Sequence, residues 1–382
     1  MSGALAGLKV LELAGLGPVP FCGMLLADQG AQVVRVDRVG TSDLGIEFPT
    51  ALDLRNRNKR SIALDLKQAD GVEIFLRLVA DADVVIEGFR PGVAERLGIG
   101  PAQCLARKPA LVYGRGTGWG QEGPLSQAAG HDLNYIALTG ALDLIGPAGG
   151  APVPPLNLLG DYGGGAAYLA FGVMAAVFEA RNSGIGQVVD AAMVDGVNSL
   201  LTVFHAMRQS GQLVDKRGSN VLDGGAPYYS VYPTADAQYV AVGAIEPRFY
   251  QLLIRQLGLD TADLPSRDDR RQWPALRNIF AARFRERSRA EWIEHFADCP
   301  DACFSPVLTL AEAGEHPHNQ ARGIFTQFEG VTHPTPAPRF SRTPGSVERS
   351  APHVGEHTSE VLEQWGFGRD EIAAARARGL LA

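Results

Sequence analysis

Short β-branched runs alternate with stretches of helical spacing through the first part of the chain. Residues 10–13, 33–36, 84–87 and 111–114 are such runs and predict buried strands. Residues 21–29 and 71–80 carry the helical spacing between them. This rhythm predicts βαβ units and a parallel, doubly wound sheet of the α/β class. Residues 166–179 form an Ala-rich apolar run that predicts a buried helix, ended by the hydrophilic Arg181-Asn182-Ser183-Gly184. A strand at 187–190 and a helix at 194–208 follow.

From 216 to 227 Gly and Asp dominate, which predicts a linker. A second alternation then opens with a strand at 239–242, followed by helices at 248–257, 273–287 and 289–296. This reads as a smaller α/β domain. Pro334, Pro336, Pro338 and Pro344 exclude a continuous helix or central strand over 332–349, so a return linker is expected there. Thr358 is expected to cap a terminal helix. The resulting boundaries are a large domain at 1–190 rejoined by 335–382, a linker at 191–223, a small domain at 224–312 and a return linker at 313–334. No internal repeat interrupts this order.

At 382 residues the chain exceeds one hydrophobic core, which agrees with two domains. Hydrophobic residues at 46% and charged residues at 20% are ordinary for a soluble enzyme. A formal charge of −7 and a pI near 5.7 argue against a general nucleic-acid binder. No uninterrupted apolar run reaches the roughly 18 residues of a membrane span. The N-terminus lacks the charged start and apolar core of a signal peptide, and Gly379-Leu380-Leu381-Ala382 does not match a peroxisomal signal. A cytoplasmic protein is expected. Cys22, Cys104, Cys299 and Cys303 have no zinc-site spacing and read as reduced, structural thiols.

Two unlike acid–base groups stand about thirty residues apart: His131 in Gly130-His131-Asp132-Leu133-Asn134-Tyr135, and Asp161 ahead of Gly163-Gly164-Gly165. No metal-ligand cluster and no nucleotide P-loop accompanies them. Such a pair suits proton transfer at carbon, one group taking the proton and the other returning it, if the substrate carries its own activating group. A thioester is such a group. A rival pattern is Gly15-Leu16-Gly17 after the first strand with Asp37 some twenty residues on, which mimics a dinucleotide fingerprint. Pro18 and Pro20 fall where that loop needs free amides, so it is poorly built for a pyrophosphate.

The segments Leu8 to Leu16, Gly130 to Tyr135, Leu222 to Tyr229, Val242 to Pro247 and Asp301-Ala302-Cys303 occur in this order. Together they resemble the α-methylacyl-CoA racemases of the family III CoA-transferase superfamily. The resemblance implies a Rossmann-like large domain built from both ends of the chain, a small domain from its middle, and an interlocked homodimer. The active site would lie between the large domain of one chain and the small domain of the other. It implies 1,1-proton transfer on 2-methylacyl-CoA thioesters by His131 and Asp161 through an enolate-like intermediate, with Glu246 as the partner of His131. No cofactor is implied, because coenzyme A is part of the substrate. The amides after Asp161 are candidate donors to the enolate oxygen.

Coenzyme A carries phosphates that need guanidinium and ammonium groups. The resemblance assigns its contacts to Arg38, to Leu64-Asp65-Leu66-Lys67, to Gly88-Phe89-Arg90, to Arg96, and to Gly130, Asp132, Leu133, Asn134 and Tyr135. The hexamer Arg55-Asn56-Arg57-Asn58-Lys59-Arg60 either assists the phosphates or is a solvated basic face. The helix at 194–207 either lines an acyl trough or is core. The alternative within the superfamily is CoA transfer with Asp161 as nucleophile. Those enzymes lack the histidine at 131 and differ over Leu222 to Pro227. A non-catalytic acyl-CoA carrier would keep the basic residues without needing His131 and Asp161 together.

Overall fold

β-Branched runs set the centre of the larger unit. In the computed structural model, which describes residues 3–40 and 48–382, the strands are β1 (Lys9–Leu13), β2 (Gln32–Asp37), β3 (Arg60–Ala63), β4 (Val84–Glu87), β5 (Val112–Thr117) and β6 (Val188–Ala192). They form one parallel sheet in the order β3-β2-β1-β4-β5-β6. Alternate residues feed opposite layers, as the two-residue period of a strand requires. Leu11, Val34, Ile62 and Val85 pack with Phe75, Leu78, Val361 and Leu362 on one side. Val10, Val33, Val84 and Val112 pack with Val19, Leu26, Leu169 and Val173 on the other. The first layer thus draws on helices Ala69–Asp81 and Thr358–Gln364, the second on Pro18–Asp28 and Tyr168–Ser183.

One polar cluster lies inside this apolar frame. Lys59 and Glu12 are both fully buried, with Nζ donating to Glu12 Oε1 at 2.8 Å, Pro20 O at 2.8 Å and Asn56 Oδ1 at 3.0 Å. Arg57 pairs with Asp28 at 2.6 Å, Arg55 with Asp53 at 2.9 Å, and Arg60 reaches Glu360 at 3.4 Å. The basic hexamer is therefore not a solvated face. Its cations are paired within the chain: Lys59 with β1, Arg57 with the end of helix Pro18–Asp28, Arg60 with helix Thr358–Gln364 and Arg55 locally with Asp53. Lys59→Met should cost about 3–5 kcal/mol, because Glu12 would stay buried without its cation. Urea denaturation measures this, and an unchanged midpoint would show that the pair carries no stability.

The chain divides into two compact units, 1–139 with 156–200 and 320–382, and 140–155 with 201–319. These bounds differ from the sequence expectation. Residues 140–155 go with the smaller unit because Arg217 ties them there, bonding Asp143 Oδ1 at 2.9 Å and Gly150 O at 2.8 Å. The expected linker at 191–223 holds two helices, Met193–Leu200 and Thr202–Gln209, where one was expected. Neither Gly nor Pro marks the break at Leu201. The expected return linker at 313–334 holds a hairpin of Phe325–Phe328 and Val331–Pro334. Thr358 is not the cap: His357 is, and the Thr358 hydroxyl instead donates to Gly355 O at 2.7 Å and accepts the Ala63 N–H at 3.2 Å.

The smaller unit has a three-stranded antiparallel sheet, β7 (Tyr229–Pro233), β8 (Tyr239–Gly243) and β9 (Phe304–Pro306). Its inner face packs Tyr232, Val240 and Val242 against Leu253, Phe280 and Phe284.

Residues 158–183 form a continuous helical stretch of 26 residues, long and apolar enough by composition to cross a bilayer. Asp161 and the glycine run interrupt it, so it contains no unbroken apolar run of that length. Leu169, Val173, Ala176 and Val177 are buried against the sheet, which is the position of a core helix. Phe171 and Phe178, seven residues apart on its other side, are 75% and 72% exposed.

Candidate active site

Parallel strands place their carboxyl ends on one rim, where open α/β sheets bind ligands. Gly15 to Gly17 leaves β1 there, Arg38 follows β2, Leu64 to Lys67 follows β3, and Gly88 to Arg90 follows β4. The strand order reverses between β1 and β4, so the Gly15–Gly17 and Gly88–Arg90 loops flank the switch point.

Asp161 sits in the stretch Leu158–Ala167, which is wound as a π-helix. Such turns recur at functional sites. Glycine makes this one possible: a Cβ on Gly164 would stand 2.8 Å from the Val197 nitrogen, and one on Gly196 only 1.8 Å from Gly164 O. The two helices therefore meet backbone to backbone. The N–H groups of the glycine run bond inward along this winding, so the amides after Asp161 are not the free enolate donors expected from sequence.

The free amides at the start of the turn point at Asp132. Its Oδ2 accepts the Asp161 N–H at 2.6 Å, and it also receives the Gly160 amide. Asp132 opens the short helix Asp132–Leu138, and His131 is that helix's N-cap. The dipeptide His131-Asp132 thus presents one acid–base group and clamps the turn that carries the other. The Asn157 side chain donates to Asp161 Oδ2 at 3.1 Å. Gly17 lies against the other oxygen: a Cβ there would approach Asp161 Oδ1 to 3.5 Å. The glycine loop that mimics a dinucleotide fingerprint is packed on this carboxylate.

Burial raises the Asp161 pKa; the Asn157 bond opposes this, the Asp132 charge adds to it, and the charges of His131 and Arg55 oppose it. Burial also raises Asp132, against its two amide bonds. A carboxyl raised in this way exists partly as an acid nearer neutrality and can return a proton as well as take one. Asp132→Asn keeps an acceptor for the two amides but removes a charge that raises Asp161. The acid limb of the reaction that uses Asp161 as base should move to lower pH. A limb that stays in place in a pH–rate profile would separate Asp132 from Asp161 electrostatically.

His131 is exposed, and its loop is held by its neighbours. Asn134 Oδ1 accepts the His131 N–H at 3.0 Å. The Tyr135 hydroxyl donates to Gly130 O, and its ring meets Trp119 edge-on at 4.7 Å. A Cβ on Gly130 would stand 2.7 Å from that ring, so glycine is required there. Asn134 and Tyr135 therefore serve the histidine loop, while Leu133 is 43% exposed.

Arg38, Lys67, Arg90 and Arg96 are exposed and have no ion pair among the described residues. Leu64 is buried at 1% exposure in the core, so only its backbone can face a ligand. Asp65 accepts the Lys67 N–H at 3.0 Å and Gln68 Nε2 at 2.8 Å, which closes the turn ahead of the following helix. Leu66 and Phe89 pack on the core from its edge. Sequence reasoning missed Glu87, whose Oε2 accepts the Phe89 N–H at 2.6 Å and whose Oε1 accepts Arg115 Nε at 2.9 Å. Burial pushes Glu87 up to about 7, and it fixes the loop that carries Gly88 and Arg90. Its position at the end of a hydrophobic strand is the signal that could have found it.

Glu246 lies in the smaller unit at the N-cap of helix Pro247–Gln256, with its side chain exposed.

The family model for CoA-transferase family III matches residues 5–358. The chain is 48% identical over 371 residues to the mouse alpha-methylacyl-CoA racemase, covering 96% of this chain and 95% of that protein. It is 46% identical over 376 residues to the human one, covering 97% and 95%. Human succinyl-CoA:glutarate CoA-transferase is 29% identical over 384 residues, covering 94% and 85%. Among solved structures, a CAIB/BAIF family protein from Brucella suis superposes with a TM-score of 0.81 at 25% identity, covering 96% of this chain and 100% of that one.

Proposed function

Because this chain belongs to CoA-transferase family III and matches racemases more closely than transferases, we propose that it is a racemase of 2-methylacyl-CoA thioesters. It interconverts the R and S epimers by 1,1-proton transfer and needs no cofactor. The observation that carries this reading is the His131-Asp132 dipeptide, which presents an imidazole and clamps the turn bearing Asp161.

In this reading the α-carbon of the thioester sits between His131 and Asp161. One group takes the α-proton, the electron pair moves into the thioester carbonyl, and an enolate forms. The other group delivers a proton to the opposite face, the carbonyl re-forms, and the product is the other epimer. Asn157 and Asp132 hold Asp161 in place. Glu246 orients His131 and belongs to the partner subunit in a homodimer. The exposed Phe171, Phe178 and Ile185 of the larger unit supply apolar surface for such an assembly. Arg38, Lys67, Arg90 and Arg96 bind the coenzyme A phosphates, and the Gly88–Arg90 loop approaches the pantetheine.

One epimer of a 2-methylacyl-CoA incubated in deuterated water tests the function. Racemisation with deuterium at the α-carbon, and no acceptor acid, is the expected result. An acyl group on Asp161 trapped by hydroxylamine would instead identify a transferase. Arg96→Ala and Lys67→Ala touch a part of the substrate remote from the reacting carbon, so KM should rise more than kcat falls. Equal KM values for CoA and dephospho-CoA substrates would count against a phosphate contact at either residue.

A further inference from the structure

Residues two apart on a strand share a face, so β5 presents Tyr113 and Arg115 to the same layer of the larger unit. Both hold the stretch of chain that leaves β4. The Tyr113 hydroxyl donates to Ile99 O at 3.0 Å. Arg115 Nε donates to Glu87 Oε1, at the end of β4, at 2.9 Å. Its Nη1 and Nη2 donate to Glu95 Oε1 and Oε2 at 2.8 and 3.3 Å. Glu95 stands in the short helix Val93–Arg96. All three guanidinium nitrogens therefore face carboxylates, and the side chain is 8% exposed. Arg115 is thus buried and neutralised within the chain, a tie between two carboxylates rather than a ligand for an anion.

The stretch joined by this tie carries Arg90 and Arg96, both exposed and without an ion pair among the described residues. Its start is fixed by Glu87, whose Oε2 accepts the Phe89 N–H at 2.6 Å, next to Arg90. A Cβ on Gly88 would stand 3.1 Å from Val19 Cγ2 and 3.2 Å from Gly116 O, so the backbone there is pressed onto the sheet. In the middle, Gly92 is left-handed with a φ of 83°, and the Gln127 side chain donates to Pro91 O at 3.1 Å. The chain reverses so tightly that Arg96 folds back over it: a Cβ on Gly92 would stand 3.2 Å from Arg96 Nη1. The Arg96 guanidinium thereby lies beside the turn that carries Arg90.

Two unpaired guanidiniums on one braced turn suit an anion that offers several phosphate oxygens. We propose that Arg115 is a positioning residue for coenzyme A: by joining Glu87 to Glu95 it holds the turn from Gly88 to Arg96 in one shape and so sets Arg90 and Arg96 as a pair for the phosphates. The proposal rests on the reading in which those two arginines bind coenzyme A. A turn ordered in advance spares the complex the entropy of ordering it on binding. Glu95 separates this role from a plain charge effect by sign. Its carboxylate adjoins Arg96 in sequence and repels phosphate, so its charge alone opposes binding, whereas its bond to Arg115 favours it.

The test is calorimetric binding of 2-methylbutanoyl-CoA, with KM and kcat measured alongside. Glu95→Ala cuts the tie at an exposed side chain and should weaken binding about tenfold, the size of one hydrogen bond to a charged group. Loss of charge alone would instead tighten it. Glu95→Gln keeps an acceptor for Arg115 and should recover most of the loss. Arg115→Lys leaves a cation for the buried Glu87 but cannot span both carboxylates, so it should bind like Glu95→Ala. Since Glu95 acts through the arginines, Glu95→Ala should cost less in an Arg96→Ala background than in the wild type. KM should rise in each variant more than kcat falls. Unchanged or tighter binding by Glu95→Ala overturns the proposal, as does wild-type affinity in Arg115→Lys. Glu95→Gln as weak as Glu95→Ala, losses that multiply in full in the double variant, or a fall in kcat that matches the rise in KM would each reduce the tie to a stability role and overturn it too. Wild-type affinity in both Arg90→Ala and Arg96→Ala would overturn the reading on which it rests. Deuterium uptake by 2-methylbutanoyl-CoA tests the racemase activity separately.

Discussion

Asp161→Ala is expected to abolish conversion of one epimer into the other while sparing α-hydrogen exchange of a single epimer. Conversion needs a proton donor on each face of the carbon, and each acid–base group contributes roughly 10² to 10⁴-fold. With Asp161 gone, the epimer whose α-hydrogen faces His131 can still be deprotonated and reprotonated on that same face. His131→Ala should show the mirror-image preference. The measurement is α-deuterium uptake by each pure epimer with each variant, next to the rate of epimer conversion. Loss of exchange for both epimers with both variants, while they stay folded and bind CoA thioester, would overturn the separate-face arrangement. The geometry makes the experiment interpretable. The Asp161 turn is held by Asp132 from outside its own side chain, because the bond runs to its backbone N–H at 2.6 Å. Truncation at Cβ therefore leaves the clamp in place. Asn157 loses its partner at Oδ2 but sits at an exposed bond and can turn to water.

The sheet was legible because its strands are short β-branched runs in a regular rhythm, and the run at 84–87 coincides with β4. β3 was missed because it begins on Arg60, the last residue of a basic hexamer that resembles a solvated face, and its burial comes from distant partners. Lys59 looks like a surface lysine in sequence; only the fold brings Glu12 and Asn56 to it. The same limit applies at the site. His131 and Asp161 stand out as unlike acid–base groups, yet the residue between them in function is Asp132. Its sequence neighbour suggests that it serves His131. As the first residue of a helix it turns its carboxylate onto the amides of another turn, 29 residues on. Gly163 to Gly165 likewise reads as a flexible run with free amides. Packing against Gly196 and Val197 turns it into a π-wound helix whose amides are already bonded. Glu87 shows the reverse. An acid at the end of a hydrophobic strand marks it, but nothing local indicates that Arg115 lies beside it on the next strand.

A heterodimer of a His131→Ala chain and a Glu246→Ala chain should recover about half of the wild-type activity per dimer, although each parent homodimer is nearly inactive. Glu246 lies in the smaller unit, and its carboxylate has no hydrogen-bond partner among the described residues of its own chain. If it serves the His131 of the other chain, each dimer has two shared sites. In the heterodimer, one site combines both substitutions and the other has neither. The chain with Glu246→Ala supplies an intact His131 and Asp161, and the chain with His131→Ala supplies an intact Glu246. An active site confined to one chain would give no intact site in that heterodimer. The two chains should be produced together with different affinity tags and isolated through both. Activity no higher than in the parent homodimers would place Glu246 in the same chain as the histidine it serves. Half-activity in the heterodimer, with the pH dependence of the wild type, would assign Glu246 to the partner subunit's site.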